Sequence, residues 1–203
     1  MNYLAFDTSG NHLTVAVGGK QNQVLKKGEC SHSHSVLLMS EIEKCLQGAN
    51  LSLSEIDVFA CSVGPGSFTG IRIGVATAKA FAYANSKRVL AVTSFESLAY
   101  NTIEKVNKLT LINARHDNFY ACGFDGDNRV IIEPCFKSKD EIIDLYKDFL
   151  IISDTEIDGV NAVKGDIAEG FIKAVEAKLS LASDDRESLV PLYVKRSQAE
   201  EEL

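Results

Sequence analysis

The 203-residue chain has no run approaching the roughly 18 to 20 consecutive apolar residues that a membrane-spanning helix requires. Its opening residues, Met1-Asn2-Tyr3-Leu4-Ala5-Phe6-Asp7, carry neither the basic cluster nor the long apolar block of a secretion signal, so the chain reads as cytoplasmic, with no membrane partner. It also lacks any C-x-x-C pair. The five cysteines (Cys30, Cys45, Cys61, Cys122 and Cys135) are odd in number, which argues against a disulfide framework or a zinc site and for buried, reduced thiols. Positive charge is in deficit: 21 Lys and Arg stand against 28 Asp and Glu, a formal net charge of -7. The basic residues come as small pairs such as Lys26-Lys27, Lys87-Arg88 and Lys195-Arg196. They do not form the stripe that grips nucleic-acid phosphates, so a role as the main nucleic-acid-binding chain is disfavoured.

Apolar residues make up 45% of the chain, enough for a core, and the length fits one large domain or two small ones. Residues 3–8, the alternating Leu13, Val15 and Val17, and residues 23–30 read as a three-stranded meander. A helix follows, capped by Ser33 or Ser35, with Leu38, Ile42, Cys45 and Leu46 at helical spacing. A strand over 58–63, a helix over 67–84, a strand over 89–92 and a helix over 94–100 complete the first half. The second half repeats the order: strands at 109–112, 118–124 and 129–133, a helix over 140–149, a strand over 150–152 and a helix over 166–181. The expectation is two stacked α/β lobes, residues 1–104 and 105–203, and an acidic tail over 198–203.

Four glycines crowd one stretch, Gly64-Pro65-Gly66-Ser67-Phe68-Thr69-Gly70-Ile71-Arg72-Ile73-Gly74. A strand, a glycine turn and a helix start are the setting of an anion site, because helix N-termini attract phosphate. The spacing departs from both known fingerprints. Ile71 stands where a P-loop needs lysine, and Gly70 comes one residue late for G-x-G-x-x-G. Asp7-Thr8-Ser9 with Gly64, Gly66 and Ser67 is therefore a candidate nucleotide or phosphate turn, weighed against a plain hairpin turn. Gly70, Gly74 and Ala78 lie one helical turn apart and form a flat strip. The strip either packs on the chain's own sheet or, with Leu38, Ile42, Ile71 and Val75, receives a partner helix. Ser31-His32-Ser33-His34-Ser35 reads as helix-start surface, since residues i and i+2 do not share a helix face, and no metal site is expected. Arg115-His116-Asp117 sits in a turn without a nucleophile motif and is not expected to be a triad.

Asp7-Thr8-Ser9, the Ser31–Ser35 helix entry, the glycine segment on through Val75-Ala76-Thr77-Ala78-Lys79, Asn113-Ala114-Arg115 and Pro191-Leu192-Tyr193-Val194-Lys195-Arg196 together resemble the TsaB (YeaZ) family over nearly the whole chain. The resemblance implies a two-lobed actin/Hsp70/sugar-kinase-like (ribonuclease-H-like) α/β fold, each lobe a mixed sheet of about five strands with flanking helices. It implies a subunit of the machinery that makes threonylcarbamoyladenosine at position 37 of tRNAs reading ANN codons. In that setting transfer belongs to a TsaD partner with metal-binding histidines, and a TsaE ATPase joins. TsaB-like chains act as scaffold, docking or homodimerising through first-lobe helices, with tRNA contact indirect or minor. No catalytic residue and no obligatory cofactor is implied, though weak ATP or ADP binding is left open. Family members often read Asp-Ala-Arg where this chain has Asn113-Ala114-Arg115. The rival reading is an active ATPase or kinase of the same fold, using Asp7.

Overall fold

The computed structural model describes residues 1–19, 24–29 and 34–195. The expected cap at Ser33, the His32-x-His34 pair, Cys30 and the tail over 198–203 are not all inside those limits: Cys30, His32, Ser33 and the tail lie outside the described residues.

Two five-stranded sheets are present. The first contains β1 (Tyr3–Asp7), β2 (His12–Gly18), β3 (Val24–Glu29), β4 (Val58–Gly64) and β5 (Arg88–Thr93) in the order β3-β2-β1-β4-β5. The second contains β6 (Lys108–Asn113), β7 (Asn118–Phe124), β8 (Val130–Ser138), β9 (Leu150–Ser153) and β10 (Ala162–Lys164) in the order β10-β9-β6-β7-β8. Read from β8, the second order repeats the first: third, second, first, fourth, fifth. In both sheets the first three strands are antiparallel and the fourth and fifth run parallel to the first. This is the two-lobed actin-like arrangement.

The helices are α1 (His34–Ala49), α2 (Phe68–Asn85), α3 (Ser94–Ala99), α4 (Lys139–Leu145) and α5 (Ile167–Lys178). The period of two in β1 sends Leu4 and Phe6 into the core beneath α1 and α2, and Tyr3 and Ala5 into the core on the opposite face. In β4, Phe59, Cys61 and Val63 join the former, and Val58 and Ala60 the latter. Phe6 and Phe59 are fully buried, and burying a side chain of this size is worth about 1.5–3 kcal/mol.

The expected cut at residue 104 falls between α3 and β6 and so separates the strands of the two sheets, but the covering helices cross it. α3 comes before the cut, yet Phe95, Leu98 and Ala99 pack on the second sheet with Ile112, Cys122 and Phe124. α5 comes after it, yet Phe171, Ile172, Ala174 and Val175 cover the first sheet. Each sheet takes one covering helix from the other half of the chain. Lys178 of α5 and Glu96 of α3 tie the exchanged helices at 2.6 Å, and the Tyr3 hydroxyl donates to Glu176 at 2.9 Å.

Three elements differ from expectation. β8 runs on through Pro134 to Ser138, which an edge strand tolerates because one side of its backbone is unpaired. α4 starts at Lys139, after a capping box between Ser138 and Glu141, and ends at Leu145, short of the expected 149. The three-residue β10 was not expected.

Candidate functional site

β1 and β4 are parallel neighbours, so the turn after Asp7 meets the turn after Gly64 at one end of the first sheet. Asp7, Thr8 and Ser9 are all buried there. The Ser9 amide and hydroxyl both donate to Asp7 Oδ1, at 2.7 and 2.6 Å. The hydroxyls of Ser9, Ser62 and Ser94 cluster within 3.2 to 3.5 Å of one another. The Asp7 carboxylate also adds to burial in pushing the Cys61 thiol far up from its ordinary range.

The structure thus brings together Asp7, Thr8, Ser9, Gly64, Gly66 and Ser67, as the sequence reading grouped them. Two amides at the start of α2 have partners within the chain. Ser67 N donates to Ser9 O at 2.7 Å, and Gly70 N donates to Ser67 Oγ, the N-cap of α2, at 3.2 Å. Pro65 has no N–H, and its peptide bond with Gly64 is cis. A Cβ on Gly66 would collide with Ser9, so this glycine lets the two turns touch.

The helix strip serves the same closure. Thr8 Oγ1 donates to Gly70 O at 2.7 Å. A Cβ on Gly70 would run into the Thr8 carbonyl, and one on Gly74 would stand 2.6 Å from Thr8 Oγ1. Gly70 and Gly74 therefore admit the chain's own first turn. The expected interface residues Leu38, Ile42, Gly70, Ile71, Gly74, Val75 and Ala78 are all interior. This corrects the expectation of a docking face on them: they are the inward faces of α1 and α2, and the first core occupies them. The outward faces carry Val36, Leu37 and Met39 on α1 and Phe68 on α2, which the sequence reading did not select. Their helical phase, offset from the Leu38–Ile42–Cys45 row, was the available signal.

In the second lobe β6 ends at Asn113. Its Oδ1 accepts from Arg115 N at 2.7 Å, and its own amide donates to Asp154 Oδ1 at 3.0 Å. Burial pushes the Asp154 carboxyl up, against the lowering effect of that amide. Arg115, His116 and Asp117 follow with φ of 69°, 52° and 55°, three consecutive left-handed residues, a conformation that costs non-glycine residues roughly 1–2 kcal/mol each. The Ala114 and Asn118 amides and the Asn118 side chain hold the turn. A cavity of about 460 Å³ opens beside it, lined by Asn113, Arg115, His116, Asp117, Phe119 and Lys139 among others. Among the described residues, no three or more His, Cys, Asp or Glu converge as metal ligands, and no helix is long and apolar enough to cross a membrane.

Comparison with known proteins agrees with this architecture. The family model described as TsaD, tRNA N6-adenosine threonylcarbamoyltransferase, matches residues 28–181, well over half of the chain. The tRNA threonylcarbamoyladenosine biosynthesis protein TsaB of Buchnera aphidicola subsp. Schizaphis graminum is 31% identical over 58% of this chain and 57% of its own length. The protein of the same name from Bacillus subtilis is 34% identical over 50% of this chain and 44% of its own. The chain thus spans about half the length of these two curated relatives. The solved structure of YeaZ from Pseudomonas aeruginosa has the same fold, with a TM-score of 0.79 at 21% identity, covering 95% of this chain and 99% of that one. The family model over both lobes, the TsaB relatives and the shared two-lobed fold agree: the chain belongs to the TsaB (YeaZ) family.

Proposed function

We propose that this chain is a non-catalytic scaffold subunit of the complex that forms N6-threonylcarbamoyladenosine at position 37 of ANN-reading tRNAs, binding and supporting a TsaD-like catalytic subunit. The names of its relatives supply the pathway. One observation carries the docking role. β3 and β4 both run parallel to β1, so α1 and α2 start at the same end of the sheet. There Val36, Leu37, Met39 and Phe68 are 73%, 38%, 48% and 47% exposed, and apolar side chains gathered in water mark contact surfaces. A homologous two-lobed subunit brings helices of the same kind to such a face. A homodimer through these helices and a TsaE-like ATPase in the complex belong to the same proposal. With a net charge of -7, tRNA contact by this chain is indirect or minor.

The test is co-purification with the TsaD-like subunit and a tRNA modification assay with and without this chain. Val36→Glu with Met39→Glu is expected to abolish co-purification while thermal unfolding stays near wild type. Modification that proceeds equally well without the chain would sink the reading.

A second reading, ATP or ADP held in the cleft with Asp7 orienting a metal-bound water, has one observation in its favour: Asp7 ends β1 beside a glycine turn. The intrachain partners of Ser67 N and Gly70 N weigh against a tight phosphate grip. Steady ATP turnover by the purified chain, lost in Asp7→Asn, would favour it.

A further inference from the structure

After α5 the chain turns back along the first lobe. Leu189 is buried in the core beneath α1 and α2. Arg186 Nε donates to the carbonyls of Ala82 and Lys87, at 3.2 and 3.0 Å, at the end of α2. Glu187 accepts from Lys79 at 2.9 Å and from the Tyr83 hydroxyl. Leu192 N donates to Val63 O at 2.8 Å. The Tyr193 hydroxyl accepts from Arg72 Nε at 2.9 Å, its ring lies 5.3 Å from that of Phe68, and the Arg72 guanidinium sits 3.8 Å over Phe68. The segment therefore follows α2 from its last turn to its first.

It then crosses to the other lobe within four residues. Leu192 packs against both the first core and the core between α3 and the second sheet. Val194 packs in the latter, and Lys195 Nζ lies 5.3 Å over the Phe136 ring on β8. The anchors differ in kind. Leu189 is fully interior, whereas Phe68 and Tyr193 are both about half exposed. Ion-pair, cation–π and ring contacts in water are individually weak, and Leu192 and Val194 are only partly buried where they meet the cores, so the crossing end can release while Leu189 stays seated.

We propose that residues 186–195 form a releasable latch that holds the two lobes together and couples the first turn of α2 to β8. This does not depend on what the protein binds. Coupling of this kind is reciprocal, so a perturbation at Arg72 must be felt at Phe136, and one at Lys195 must be felt at Phe68.

Amide hydrogen exchange on the full chain tests it, comparing wild type, Arg72→Ala and Lys195→Ala. Each variant is expected to speed exchange severalfold both in residues 68–74 and in β8 around Phe136. Tyr193→Ala is expected to do the same more strongly. If it fails to fold, Tyr193→Phe, which keeps the ring and removes the acceptor of Arg72, is measured instead. Effects confined to the lobe that carries the substitution, or no effect at all, overturn the proposal, because the segment would then only pack locally.

Discussion

Asp7 and Asn113 hold the same station in the two lobes. Each ends the first strand of a third-second-first-fourth-fifth sheet, and each side chain accepts a 2.7 Å hydrogen bond from the amide two residues on, Ser9 and Arg115. The turn geometry needs an oxygen acceptor at that place and does not need its charge. Asp7→Asn is accordingly expected to lose less stability than Asp7→Ala. The alanine leaves the buried Ser9 amide and hydroxyl without this acceptor, at about 1–3 kcal/mol for each unsatisfied group. Thermal unfolding of the two variants decides it, and equal losses would contradict the argument.

Gly70→Ala is expected to destabilise by about 1–3 kcal/mol, the usual cost of overpacking, because the new methyl meets the backbone carbonyl of Thr8, whose side-chain hydroxyl already ties it to the Gly70 carbonyl. Gly10→Ala is the control: nothing lies within 4 Å of its Cβ position. Denaturant unfolding of the pair checks the prediction. A large substitution at Gly74, for the same reason, breaks the first core before it reports on any partner.

The start of α4 is expected to loosen in acid. Glu141 is held down to about 2 from an ordinary 4.5, first by the Ser138 amide and then by Lys137 and the Ser138 hydroxyl. A lowered carboxyl contributes stability that is present above the unfolded value and lost as pH falls through the folded one. Amide protection in the first turn of α4 should therefore decline between pH 4.5 and about 2. In Glu141→Gln the decline should be absent.

Among the described cysteines, Cys135 is expected to react first with a thiol reagent in the folded protein. Cys45, Cys61 and Cys122 are buried, and Cys135 is only partly so. Burial pushes Cys61 up strongly and Cys122 up to about 12, which keeps both as thiols. Mass mapping of alkylated sites before and after unfolding tests the order.

β1 and β4 were legible because they are buried on both faces and read as short apolar runs: residues 3–7 and 58–63 stand out without any partner in view. β10 was not, because Val163 and Lys164 are exposed at a sheet edge and leave no apolar pattern. Pro134 hid the second half of β8. In the candidate site, Asp7 and the glycine turn could be grouped because each reads as the turn that ends a buried strand. The direction of the Gly70–Gly74–Ala78 strip did not. α2 has apolar residues inward and Phe68, Ile73 and Tyr83 at least partly outward, so its spacing marks a close approach without saying whose backbone approaches. That answer depends on Thr8, sixty-two residues away from Gly70 in sequence.

The exchange of α3 and α5 between the sheets also sets an order of events during synthesis. When β5 leaves the ribosome, the first sheet has all its strands and α1 and α2 on one side. Its other face, with Ala5, Val58, Ala60, Leu90 and Val92, stays bare until Phe171 and Val175 have been made. A nascent chain halted between these points presents an apolar sheet face to solvent. Chaperone capture, rather than independent folding of the first half, is then the expected fate of truncated translation products.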